Sequence, residues 1–166
     1  MLYTITLPPL VPPEERFMRL AIEQAKLSAQ EGEVPVGAVI VKDGEVIATG
    51  RNRREGEKNA LAHAELKAIG DACRILGGWR LWQCELYVTL EPCPMCTGAI
   101  INSRLRRVIY GASDKKAGSC GSVINLFDLP YNHRPALIAG FMGEECGRLL
   151  TDFFREMRSR RKEGTT

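Results

Sequence analysis

Residues 85–100 read ELYVTLEPCPMCTGAI, a β-rich run that leads directly into a helix. The β-branched and aromatic residues predict a strand over residues 85–89. Pro94 suits the first position of a helix, because the N–H that proline lacks would have no partner there. Cys93 and Cys96 are three residues apart, so one helical turn places both sulfurs on the same side, where the helix dipole favours thiolates. The stretch therefore predicts two thiolates at a strand-to-helix junction.

A further metal-ligand type stands upstream, in His63-Ala64-Glu65. One imidazole and two thiolates are ligands that zinc prefers, and three protein ligands leave the fourth tetrahedral position open for water, as in catalytic sites. Glu65 is then a carboxylate that is free to carry protons. We predict that His63, Cys93 and Cys96 bind one Zn²⁺ per subunit and that Glu65 is the catalytic residue.

Two alternatives to this zinc site stay open at the level of sequence. Glu65 could serve only to stabilise the N-terminus of its helix. The metal could also be purely structural, with a fourth cysteine closing the site, and the candidates for that ligand are Cys73, Cys84, Cys120 and Cys146. These four cysteines are otherwise expected to be small buried apolar side chains.

The other elements follow from periodicity and turn residues. A helix is predicted from Pro13 to Gly32, and a second over residues 63–76 carries His63 and Glu65. Asp43-Gly44 predicts a two-residue hairpin between strands 37–41 and 45–49, with a polar loop over 50–59. Strands are also predicted over 107–110 and 136–139, separated by a Gly/Ser-rich loop over 111–134, and a terminal helix starts near residue 144. Strands that alternate with helices predict an α/β fold with helices on both faces of the sheet.

Composition limits the class of protein. A chain of 166 residues with 45% hydrophobic residues suits one domain, which we place at residues 13–166 after a flexible or extended proline-rich lead-in over residues 1–12. The cysteines form no secretory disulfide pattern, and no signal-peptide pattern or apolar run of roughly 18 residues is present. We therefore expect a cytoplasmic protein that does not enter membranes. The net charge of +3 permits an RNA partner without requiring one.

The motifs resemble one known family. H-x-E followed by P-C-x-x-C is typical of zinc-dependent nucleobase deaminases. Four stretches in order, VPVGAVIVKDGEVIATGRN, AHAE, YVTLEPCPMCTGAI and NHR followed by DFFR, are similar to bacterial tRNA-specific adenosine deaminases over residues 14–158. The resemblance implies a three-layer α/β/α cytidine deaminase-like fold, with a central mixed sheet of about five strands, and a homodimer. It also implies hydrolytic conversion of adenosine to inosine at the wobble position of a tRNA anticodon, with release of ammonia.

Candidate substrate contacts follow partly from the residues and partly from this resemblance. The amide of Asn52 can donate and accept, which suits a base or ribose, although asparagine also stabilises turns. Val36 and Leu90 stand beside motif residues and could line a pocket, and core packing explains them almost equally well. The resemblance implies that Asp114 contacts the substrate, while an Asx turn is the alternative.

Basic residues outside the motifs are candidates to contact RNA phosphates. The terminal segment 155–162 is rich in them, although a short run of charge is usually a solvated helix end. The main candidates are Arg53, Lys116, His133, Arg134, Arg155 and Arg158, and Arg51, Arg54, Lys58 and Lys115 belong to the same set.

Two other functions remain as alternatives. A deaminase of free nucleobases or nucleosides, of the guanine or cytosine type, would share every catalytic residue but would not need a basic C-terminal helix. A non-catalytic RNA-binding module stabilised by zinc would require a metal that side chains enclose completely.

Overall fold

The described part of the chain, residues 7–164 of the computed structural model, contains five strands and four α-helices. The strands are β1 (Gly37–Lys42), β2 (Glu45–Arg51), β3 (Cys84–Leu90), β4 (Arg107–Ala112) and β5 (Ala136–Ile138). The helices are α1 (Glu15–Gln30), α2 (Ala64–Leu76), α3 (Pro94–Asn102) and α4 (Gly143–Glu163). Every predicted helix and strand is present, with ends that differ by one or two residues.

The strands form one mixed sheet in the order β2-β1-β3-β4-β5. β1 is antiparallel to both β2 and β3, whereas β3, β4 and β5 run parallel. The link from β3 to β4 passes through α3, as a parallel pair requires a crossover. The carboxyl ends of β3 and β4 therefore meet at the same edge of the sheet.

Helices cover both faces of the sheet. The core on one face joins α2 and α3 to Ile40, Leu86 and Val88, and the core on the other face joins α1 and α4 to Val39 and Tyr87. Because successive residues of a strand point to opposite faces, a strand covered on both faces has to be apolar throughout. The predicted three-layer α/β/α fold is confirmed.

The predicted hairpin turn is confirmed, and it contains one feature that the sequence did not reveal. Asp43 and Gly44 have φ values of 51° and 76°, the left-handed pair that a two-residue hairpin turn requires. The register then shifts between Ile40 and Val41, which pair with Ala48 and Val46, so Ile47 is the extra residue of a β-bulge. Bulges lack a distinctive residue pattern, and this one could not be predicted.

The proline-rich lead-in is described only from residue 7, and the prediction for residues 1–6 lies outside the described residues. Residues 7–14 form neither helix nor strand. The carbonyl of Pro8 accepts a hydrogen bond from Arg106, and the carbonyl of Val11 accepts one from Arg107 at 2.5 Å. Arg107 is buried and also pairs with Glu85 at 2.6 Å. This part of the lead-in is thus held against the amino ends of β3 and β4. Within residues 7–164, no helix is both long enough and apolar enough to cross a membrane.

Gly50 allows α2 to lie close against β2, and we expect its substitution to be destabilising. A Cβ at position 50 would overlap the backbone oxygen of Ala64 and lie 2.8 Å from the nitrogen of Ala68. Backbone cannot move aside as a flexible side chain can, so Gly50→Ala should reduce the free energy of unfolding by about 3 kcal/mol. Urea denaturation followed by circular dichroism measures this loss.

Gly70→Ala is the matched control, because Gly70 lies on the exposed side of α2 and a Cβ there meets no atom within 4 Å. It should stabilise the protein by up to about 1 kcal/mol, the difference in helix propensity. Equal stability of the two variants would contradict the close approach of α2 to β2.

Candidate active site

The predicted metal ligands lie where two helices begin. His63 precedes the first residue of α2, and Cys93 precedes Pro94, the first residue of α3. β3 ends at Leu90, three residues before Cys93, so the sheet places the start of α3 at its carboxyl edge. Both helix N-termini direct free N–H groups and positive dipole ends to this edge, where they favour anions such as thiolates.

The three ligand atoms form a compact group. His63 Nδ1 lies 3.7 Å from Cys93 Sγ and 3.5 Å from Cys96 Sγ. All three atoms lie within 4.8 Å of one another, so the group could hold a metal ion. Residues 7–164 contain all six cysteines. Among these residues, no other histidine, cysteine or acidic side chain joins the three ligand candidates. The closed site considered from the sequence is therefore not what the described residues form.

The two thiols differ in acidity. A hydrogen bond from the Cys96 thiol, together with the neighbouring His63, outweighs burial and lowers the pKa of Cys93 to about 4. The same pairing raises the pKa of Cys96 above its ordinary value, and burial adds to that increase. A metal ion requires both sulfurs as thiolates, so binding would release the proton that they share.

Glu65 lies in the first turn of α2, beside the ligand group. Only 4% of its surface is exposed, and burial raises the pKa of its carboxyl group to about 7. A carboxyl group whose pKa lies near neutrality can both accept and release a proton, which is what a general acid and base must do.

A pocket of about 260 Å³ opens above these residues. Its wall contains all four residues predicted to contact substrate, Val36, Asn52, Leu90 and Asp114, together with His63, Glu65 and Cys93. The wall is completed by Val34, Arg54, Ala64, Glu91 and Ala117. Residues from five separate parts of the chain thus converge on one concave site.

Asn52 and Asp114 each line the pocket and also stabilise a loop. The Asn52 amide donates to the carbonyl of Val34 at 3.1 Å and accepts the N–H of Arg54 at 3.3 Å. Asp114 Oδ1 accepts the N–H groups of Lys116 at 2.9 Å and Ala117 at 3.2 Å, which is an Asx turn. The alternatives drawn from the sequence are therefore compatible with each other, because both residues stabilise loops and also line the pocket.

Sequence reasoning missed two buried glutamates beside the pocket. Glu33 and Glu91 are each 2% exposed, and both accept hydrogen bonds from loop backbone. Glu33 accepts the N–H groups of Glu55 at 3.1 Å and Gly56 at 2.6 Å, and so holds the loop that follows Asn52. The only available signal was their position, since each acid stands next to an apolar segment where a charge needs partners.

Among the candidate RNA contacts, Arg54 lines the pocket, and the six main candidates, Arg53, Lys116, His133, Arg134, Arg155 and Arg158, do not. Arg53 pairs with Glu31 and Glu57, Arg134 pairs with Asp128, and Arg155 pairs with Asp152. Lys116 and Arg158 are exposed. His133 donates from Nε2 to the carbonyl of Leu105 at 2.6 Å, which places it at the amino end of β4, away from the pocket. RNA contact by these six residues stays a prediction.

Comparisons with known proteins match this chain to deaminases. The MafB19-like deaminase family matches residues 13–158. The tRNA-specific adenosine deaminase of Bacillus subtilis (strain 168) is 48% identical over 150 residues, 90% of this chain and 93% of that protein.

Solved structures of deaminases are also similar to this chain. One from studies of A-to-I editing by tRNA:A34 deaminases at the wobble position of transfer RNA has a TM-score of 0.80 and 43% identity, covering 82% of this chain and 100% of that chain. A guanine deaminase from Bacillus subtilis has a TM-score of 0.60 and 34% identity, covering 89% of this chain and 95% of that chain.

Proposed function

Because the chain belongs to the tRNA-specific adenosine deaminase family, we propose that it converts adenosine to inosine at the wobble position of a tRNA anticodon, releasing ammonia. The observation that carries this proposal is the position of Glu65, buried beside the His/Cys/Cys group in the wall of an open pocket. Hydrolytic deamination needs an activated water and a group that moves protons, and both requirements meet there.

The metal that we propose is zinc, one ion per subunit, bound by His63 Nδ1, Cys93 Sγ and Cys96 Sγ. Zn–N and Zn–S bonds of ordinary length at a tetrahedral angle separate nitrogen from sulfur by about 3.6 Å. The measured separations of 3.5 and 3.7 Å support this fit. Zinc bound there would supply Lewis acidity, which makes water a usable nucleophile near neutral pH.

Glu65 is the residue that we propose to move protons. Its carboxylate would accept a proton from the attacking water and pass it to N1 of adenine as oxygen adds to C6. It would then take the proton of the new C6 hydroxyl and deliver it to the amino group, so that ammonia leaves and the C6 carbonyl of inosine forms. One carboxyl group can serve both transfers, because it returns to the ionised state after the first of them.

Substrate recognition is assigned to the pocket walls. Val36 and Leu90 would contact the faces of the base, and Asn52 and Asp114 would bind its polar edge or the ribose. Arg54 also lines the pocket and pairs only weakly, at 3.8 Å, with the exposed Glu55, so its guanidinium can reach a phosphate. The base would have to leave its stack to enter, which an anticodon loop allows at low cost because it is single-stranded.

The surrounding basic residues would contact the RNA backbone. Exposed ion pairs such as Arg53 with Glu31 contribute about 1 kcal/mol or less, so a phosphate can replace the carboxylate. His133 and Arg134 would contact only RNA that extends beyond the pocket, since His133 is bound at the amino end of β4.

Three further properties belong to this proposal. Residues 13–166 would form a single deaminase domain, which the family match to residues 13–158 supports. The protein would act as a homodimer in the cytoplasm, where its tRNA substrate is available. Sedimentation equilibrium would measure the mass, and a monomer at micromolar concentration would rule out the homodimer.

The proposed function is tested by comparing substrates. A transcribed anticodon stem-loop with adenosine at the wobble position should yield inosine, whereas free adenosine should react at least about 10³-fold more slowly in kcat/KM, because it lacks the remote contacts that provide binding energy. Guanine is the third substrate, since the guanine deaminase is also a structural neighbour, though at a lower TM-score than the tRNA:A34 deaminase. Rapid turnover of guanine with no inosine in the stem-loop would favour the free-base alternative.

A further inference from the structure

One loop leads from the end of β4 along the wall of the pocket. Residues 113–122 contain Asp114 and Ala117, which line the pocket, and the exposed Lys115 and Lys116. This loop includes no helix, and its single bridge pairs Cys120 with Asn125. Beyond the turn that begins at Asp114, its conformation therefore depends on contacts with other parts of the chain.

The side chain of Glu91 supplies those contacts at both ends of the loop. Its Oε2 accepts the N–H of Asp114 at 2.9 Å and also the hydroxyl of Ser122. Its Oε1 accepts the N–H groups of Cys120 at 3.1 Å and Ser122 at 3.0 Å. One buried carboxylate thus joins residues at the two ends of the loop.

The loop wraps closely around this carboxylate. A Cβ at position 118 would overlap Glu91 Oε2 and the carbonyl oxygen of Asp114, so only glycine fits there. Four donors are directed at this carboxylate, the Ser122 hydroxyl and the N–H groups of Asp114, Ser122 and Cys120, which are the partners that a buried carboxylate needs.

We propose that Glu91 is a positioning residue for substrate binding, because it sets the loop that carries Asp114 into the pocket. The inference rests on the proposed function and extends it to a residue that touches neither the metal ligand atoms nor the reacting atoms. Glu91 acts through Asp114 and its neighbours, so its removal weakens capture of the RNA and leaves the chemical step intact.

The Glu91→Gln variant distinguishes a role in positioning the substrate-binding loop from a general role in stability. In the variant, the side-chain oxygen can still accept from Cys120 and Ser122, and the Ser122 hydroxyl can reverse to accept from the new NH₂ group. The N–H of Asp114 then faces a donor and loses its acceptor. KM for the stem-loop should rise about tenfold, the usual effect of one lost hydrogen bond to a charged group, with kcat within twofold.

Glu85→Gln is the matched control, because Glu85 is also a largely buried glutamate and belongs to β3, the strand that Glu91 directly follows. It lies at the opposite end of the strand, about 20 Å away at the usual rise per residue, and pairs with Arg107. This variant should lose stability, since buried Arg107 loses its partner, but should keep the KM of the parent protein.

Amide hydrogen exchange gives a readout that does not depend on activity. In Glu91→Gln, the N–H of Asp114 should exchange at least about tenfold faster, while the amides of β3 and α3 should keep their protection. Unchanged exchange at Asp114, or an unchanged KM, would overturn the proposal. So would loss of bound zinc, or an equal rise of KM in Glu85→Gln. If the parent protein makes no inosine, the proposed function fails, and exchange at Asp114 still decides whether Glu91 holds the loop.

Discussion

Replacement of Glu65 by glutamine will leave the metal bound and reduce kcat by a factor of about 10³, within the range that a general acid and base contributes. Glutamine has nearly the same shape as glutamate, so the packing at 4% exposure is preserved, but its amide cannot transfer protons at neutral pH. Metal content by elemental analysis and inosine formation in a stem-loop measure the two properties separately.

Glu15→Gln is the control for the helix-dipole explanation of Glu65. Glu15 is also an acidic residue in the first turn of its helix, but it is exposed and far from the ligand group. Its substitution should cost a few tenths of a kcal/mol at most and leave kcat unchanged. A Glu65→Gln protein that keeps its zinc and deaminates at the normal rate would refute the catalytic role.

Removal of the metal will reduce deamination at least as strongly as Glu65→Gln. Cys96→Ala takes away a fully buried ligand, and we expect no bound zinc and deamination at the background level. The parent protein treated with a chelator should lose activity in the same way and regain it when zinc is added. Stability should fall as well, by about 4 kcal/mol where free zinc had been a thousandfold above its dissociation constant.

Cys73→Ala provides the comparison, because Cys73 lies on α2 outside the ligand group. It should keep the full metal content and the activity of the parent protein. Full activity in Cys96→Ala, or in protein shown to be free of metal, would contradict the metal centre.

The ligand group could be predicted because its chemistry depends on few residues at short spacing. Cys93 and Cys96 lie on one turn, and His63 is brought to them by α2, a helix whose apolar face was readable in the sequence. The hairpin at Asp43-Gly44 could also be predicted, since few residue pairs adopt two successive left-handed conformations.

The partners of buried acids could not be predicted from the sequence. Glu91 is bound by Asp114, Cys120 and Ser122, and most of those contacts use backbone N–H groups that every residue except proline possesses. Pairing of Arg53 with Glu31 was equally hidden, because it depends on how the end of α1 lies against the loop after β2. Residue type indicates candidate metal ligands, whereas the residues that support a loop depend on the three-dimensional course of the chain.

The bulge at Ile47 has a consequence for how copies of this protein can associate. An outer strand with free N–H and C=O groups invites a second molecule to extend the sheet, the usual route to amyloid-like aggregation. Here one outer strand, β2, is interrupted by the bulge and begins at the exposed, charged Glu45, and the other, β5, is only three residues long. Both outer strands are poor templates for such growth, so helix and loop surfaces are better suited to association between copies.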